Sequence, residues 1–213
     1  MATDNTSRML ALLGELRRDR NGMAADAMCS YGGQYGVNYG VAAHTIRDRA
    51  KAEGKDHAFA EFLFRQDVRE LRIAALWIAE AERIVPSDFH IWAAGIINSE
   101  IAEQAALALL SAVERIDDLL AEWSQSGNVL LGYAAMLAAA RNEKRDDEMA
   151  LGALYRIIDA FSDNRLAGQG AVALLAAIAE CHIEAVKHFV ETLPQTYTAQ
   201  YVREEMEWRL VEE

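Results

Sequence analysis

Four stretches of this chain carry almost no charge and no polar face. They are RIAALWIA from Arg72, QAALALLSA from Gln104, GYAAMLAAA from Gly132 and AVALLAAIA from Ala171. A helix without a polar side cannot lie on a surface, so neighbours must cover each run on two or more sides. Alanine lets helix backbones approach closely, and Leu and Ile fill the gaps. The runs recur roughly every 30 to 40 residues, the spacing of helix-pair repeat arrays. These constraints predict an all-α chain, an α-solenoid in which the four runs are the inner helices of stacked pairs. Ala75 and Ala106 should then be tightly packed.

The rest of the composition agrees. Only 2 prolines interrupt the 213 residues, and 52% of the chain is hydrophobic, enough for a core. No period-2 β-branched run stands out, so no substantial sheet is expected. The pattern reads as a single repeat domain over 1–213, with an N-terminal part to residue 67, helix pairs over about 68–193 and a closing helix over 197–213. Within it, one long helix is expected from Val68 to about Val85 and another from Ser99 to Val113. A division is expected between Cys181 and His182. The apolar runs are interrupted too early to span a bilayer, and MATDNTSRML has no apolar signal core. The expected location is cytoplasmic, with no membrane contact. Cys29 and Cys181 match no metal or redox spacing and are expected to be reduced and buried. No cofactor and no metal site is expected; His182 and His188 do not share a helix face.

Charge separates the two halves. Residues 1–100 hold 12 Lys and Arg against 14 Asp and Glu, whereas residues 101–213 hold 9 against 19. A nucleic-acid surface needs a basic face, and only the first half can supply one. Its candidates are Arg47, Arg49 and Lys51 on one helix, Lys55 just beyond it, and Arg69 and Arg72 on the first Ala-rich helix. Glu70, Glu80 and Glu82 crowd the last two with opposite charge. Between these cations and the N-terminus lies YGGQYGVNYG, from Tyr31 to Gly40, a loop whose tyrosines Tyr31, Tyr35 and Tyr39 pack locally. It contains neither GxGxxG nor GK[ST], so it is not a phosphate loop.

The order YGVNYGVAAHTIRDRAKAEGKDHAFAEFLF, QDVRELRIAALWIAEAERI, IWAAGIINSEIAEQAALALL resembles the DNA alkylation repair family of AlkD-like glycosylases. The likeness runs from about Tyr31 to Leu110. It implies a solenoid of HEAT- or ARM-like repeats, and double-stranded DNA as partner, held by the N-terminal half or a concave face. It also implies excision of cationic alkylpurines. There the enzyme has mainly to stabilise an oxocarbenium-like sugar with a nearby carboxylate and to hold the lesion by aromatic stacking. The resemblance places the WDxxD-like segment of active members on Ser99-Glu100-Ile101-Ala102-Glu103, with Glu103 as the catalytic carboxylate. The chain departs from the pattern elsewhere. Ser99 stands where an aromatic belongs, the helix Asn128–Ala140 has no Arg, and Leu166–Glu180 has no Trp. The expectation is DNA engagement with weak or absent excision. The alternative is a non-catalytic interaction scaffold that has lost DNA binding and uses its groove for another partner, such as a protein.

Overall fold

The computed structural model describes residues 4–30 and 33–210. Tyr31 and the last residues of the expected closing helix lie outside the described residues. Two compact units divide the chain after Leu109.

The first unit begins with α1 (Asn5–Leu16), a 3-10 turn (Arg17–Asp19) and α2 (Gly22–Ser30). After the glycine-rich loop come α3 (Ala43–Glu53), α4 (His57–Phe64) and α5 (Arg69–Ile78). Two 3-10 turns, Ala81–Arg83 and Pro86–Asp88, lead into α6 (Phe89–Gly95), and α7 (Ser99–Ala108) follows. α5 is the hub, packing against α3, α4 and α7. All its residues but Trp77 are buried, as the absence of a polar face requires. Ala75 and Ala106 are both fully buried, whereas Leu107, in the run from Gln104, is 52% exposed. That run is therefore covered on fewer sides than the others.

α5 is shorter than its sequence suggests. AEAERIV favours helix, yet Ala79 and Glu80 are extended. The helix is stopped from outside, by the segment leading into α4. The Asp56 amide donates to Ile78 O at 3.1 Å and Lys55 Nζ donates to Ala79 O at 2.6 Å. These carbonyls would otherwise have received amides from the next turn. The Glu80 amide is drawn to His57 Nδ1 at 3.3 Å. The helix expected from Ser99 to Val113 likewise ends early, at Ala108, and a 3-10 turn (Leu110–Ala112) follows it.

The second unit contains α8 (Ile116–Ser124), α9 (Val129–Ala139), α10 (Asp147–Ala160), α11 (Arg165–Thr192) and α12 (Tyr197–Glu207). α9 is apolar all round and buried from Leu131 to Ala139. It packs on α8 and α11, and α11 packs in turn on α12. Close approach depends on Gly170: a Cβ there would lie 2.5 Å from Met136 Cε and 3.0 Å from the Tyr133 ring. Asparagines start the apolar helices. Asn128 Oδ1 accepts from the Leu130 amide, and Asn164 Oδ1 from those of Leu166 and Ala167.

By length and composition α11 could cross a membrane, so its apolar run is longer than expected, but 44% of its most apolar window is buried. The expected division falls where the backbone leaves helical geometry, at His182 (φ −133°, ψ 51°). The cysteines differ from expectation. Cys29 and Cys181 are unpaired, and both are exposed; Cys29 is on α2, which buries none of its residues, and Cys181 directly precedes the break in α11. Among the described residues no strand forms; a lone parallel bridge joins Val37 to Val68.

Candidate nucleic-acid interface

The glycine-rich loop is held against the start of α5 by a short parallel pairing. The Val37 amide donates to Asp67 O at 3.0 Å and the Arg69 amide to Val37 O at 2.9 Å. A Cβ at Gly36 would overlap the Asp67 carboxylate, so any larger residue there would displace that exposed side chain. The loop is then gripped by Glu70, whose Oε1 accepts from the amides of Tyr39 at 3.1 Å and Val41 at 3.3 Å. Its neighbour Arg69, 1% exposed, donates through Nη1 to Val41 O at 2.8 Å and to Glu70 at 3.2 Å. On its other side Arg69 Nε reaches Glu100 Oε2 at 2.9 Å. Tyr35 completes the cluster by donating its hydroxyl to Glu100.

The electrostatics follow from this geometry. Burial alone would raise the Glu100 carboxyl, but the hydrogen bonds from Arg69 and Tyr35 outweigh it, and its pKa is lowered. Burial and the adjoining Glu100 carboxylate push the Tyr35 hydroxyl well above the usual phenol range. Burial opposes the charge on Arg69, yet Glu100 and Glu70 hold its pKa above the ordinary value. One guanidinium between two carboxylates leaves the cluster with a formal charge of −1. Arg72 is committed nearby, donating through Nε to Gln66 O at 2.9 Å and pairing with Asp67 at 3.3 Å.

The candidate residues thus fall into two groups. Arg69 and Arg72 are buried and tie the loop and the α4–α5 corner. Arg47, Arg49, Lys51 and Lys55 are on or just beyond α3 and have lighter attachments. Arg47 pairs with its neighbour Asp48 at 3.1 Å. Arg49 lies 3.4 Å from Glu15 and 3.7 Å from Asp19. The Lys51 ammonium is 5.3 Å from the centre of the Trp77 ring. Lys55 caps α5 as described. Glu103 is on the exposed side of α7.

Three more cations escaped the sequence reading. Arg17, Arg18 and Arg20 are exposed at the end of α1. The Arg49 contacts to Glu15 and Asp19 bring α3 to the same place. The signal was present as the run RRDR, but only the packing of α1 on α3 joins it to the α3 arginines. Glu100 also escaped, since its partners are 31 and 65 residues away in sequence. A cavity of about 410 Å³ opens beside this cluster, lined by α2, Gly33, Tyr35 and the start of α7 including Ser99 and Glu100. Glu103 is not in its wall.

These helix pairs define a HEAT-like repeat protein. A solved structure superposes with a TM-score of 0.71 over 93% of this chain and 94% of its own, at 17% identity. It represents "a new family of proteins related to the HEAT-like repeat DNA glycosylases with affinity for branched DNA structures". The family model for DNA alkylation repair enzymes matches residues 12–208. The chain belongs to that family, as the resemblance implied. No curated protein matches the chain significantly.

Proposed function

We propose that the chain binds DNA through its N-terminal half, at damaged or branched sites, and that excision of alkylpurines is weak or absent. The observation that carries the DNA reading is the set of exposed arginines formed by Arg17, Arg18 and Arg20 after α1 and Arg49 on α3, in a member of the DNA alkylation repair family that superposes on a structure of proteins with affinity for branched DNA. Exposed guanidinium groups give phosphate contacts that position a duplex without reading its sequence. The direct test is a mobility assay on branched and fully paired DNA at rising salt. Binding that weakens steeply with salt is expected; no binding of either DNA at low salt would overturn the reading.

The loss of excision is supported by the residues around α7, α9 and α11. Ser99 offers no ring, α9 carries no cation and α11 no Trp. Removing one preorganised transition-state contact costs on the order of a hundredfold to a thousandfold in rate. Release of 3-methyladenine and 7-methylguanine from methylated DNA should therefore match the spontaneous rate, with Glu103→Gln unchanged. Release above that rate, abolished by Glu103→Gln, would make Glu103 catalytic. A protein scaffold is the competing reading. It is favoured by the surplus of acids in residues 101–213 and by the acidic partners already beside Arg47 and Arg49.

A further inference from the structure

α2 stands apart from every other α-helix of the described residues: none of its residues is buried. Its sequence GMAADAMCS is nevertheless largely apolar, and Met23 is 84% exposed. Ala24, Ala27 and Met28, spaced i, i+3 and i+4, share one helix face, and that face lines the 410 Å³ cavity. The opposite wall is Gly33, Tyr35 and the start of α7. The polar groups in that wall are largely occupied. Tyr35 donates to Glu100, Glu100 is held by Arg69, and Asn98 Nδ2 donates to Gln34 O at 3.4 Å. What remains is a small, mostly apolar slot with an aromatic residue in its side, suited to a flat ring.

A second observation identifies the ring's carrier. One residue, Asn21, separates α2 from the run Arg17-Arg18-Asp19-Arg20. Arg17 lies over the Tyr39 ring at 5.4 Å and Asp19 is taken by Arg49. Arg18 and Arg20 are exposed and form no ion pair among the described residues. Arg20 and Ala24 are four residues apart, at most about 14 Å of chain. Exposed guanidinium groups a few residues along the chain from an apolar slot complement a phosphate joined to a base. They do not complement an apolar peptide or a lipid tail.

We propose that this cavity receives the base of a single unpaired deoxynucleotide of a branched DNA, with Arg18 and Arg20 on the flanking phosphates. The inference rests on the DNA-binding reading above. Aromatic walls are sequence-tolerant partners for a base, since every base has a π-face. A branched DNA with a single-stranded flap or gap offers unpaired bases at no unpairing cost, whereas an intact duplex must first be opened.

The test uses the full chain and a branched DNA carrying 2-aminopurine either at an unpaired position or within a paired arm. Binding should change the fluorescence of the unpaired probe and leave the paired one unaffected. Ala27→Leu fills the slot from an exposed helix position. It should abolish that change and weaken binding to the unpaired-base DNA by about tenfold, with fully paired DNA bound as before. Joint substitution of Arg18 and Arg20 by alanine should weaken binding and flatten its salt dependence. Branched DNA that binds with no response from the unpaired probe, or a response that survives Ala27→Leu, overturns the slot while leaving DNA binding intact. Failure to bind any DNA overturns both readings.

Discussion

Among the described residues, every buried charged side chain is in the first unit: Arg69, Glu70 and Arg72, all on α5. The second unit buries Ser124, Asn142 and Thr198 as its polar residues and packs α9 and α11 through Ala, Leu and Gly. Both units are stacks of helices around a buried one, α5 with its three charges and α9 with none, so burial of charge is not needed for the architecture. What differs is the irregular backbone. The first unit must hold a glycine-rich loop in place, and Arg69 and Glu70 supply the donors and acceptors that a loop without regular structure leaves open. Buried ion pairs are weak as stabilisers but costly to break. In this unit they fix the position of one segment, the one that carries Tyr35 to the cavity.

The largest effect expected from this contrast is at Glu70. Glu70→Ala leaves the Tyr39 and Val41 amides without their acceptor and removes one of the two carboxylates on Arg69. It should cost about 3–5 kcal/mol in denaturant unfolding. A loss under about 1 kcal/mol would mean the loop holds itself. The second unit should respond to volume instead of charge. Gly170→Leu drives a side chain into Met136 and Tyr133 and should cost about 1–3 kcal/mol; an unchanged melting temperature would show that α9 and α11 do not approach closely. Asn164→Ala removes the cap of α11 and should cost about 1 kcal/mol, whereas Asn164→Asp should keep most of it.

The smallest effect is a pH dependence carried by Glu100. The Glu100 carboxyl is lowered in the folded state. It therefore contributes stability that is complete above its unfolded value, about 4.3, and is lost as pH falls through the folded value. Wild-type protein should lose this contribution in that acid range, and Glu100→Gln should show a flatter acid limb. Parallel acid limbs for the two proteins would remove Glu100 from the account.

The helical architecture was legible because alanine-rich runs without a polar face admit few packings. α9 illustrates this: its sequence alone demanded burial from all sides. The end of α5 was not legible, because Lys55, Asp56 and His57 impose it from another part of the chain against a helix-favouring sequence. The candidate site was read only in part. Arg69 and Arg72 look like the other arginines in sequence, and nothing local says that Glu100 waits 31 residues on to pair with Arg69. Local patterns report which faces must be covered; they do not report which charges meet across helices. The cysteines show the same limit, since apolar neighbours in sequence did not place either one inside.

The break at His182 bears on how the longest helix opens. Amide hydrogens just after a non-helical residue lose the carbonyl four residues back, so cooperativity along the axis is interrupted there. Before the break, α11 buries Ala167, Gly168, Gly170, Ala171, Val172, Leu174, Leu175 and Ile178; after it, only Val186 and Phe189. Native-state hydrogen exchange should therefore resolve this helix into two blocks. The leading block should exchange only with global unfolding, and the trailing one should open earlier as its own small cooperative unit.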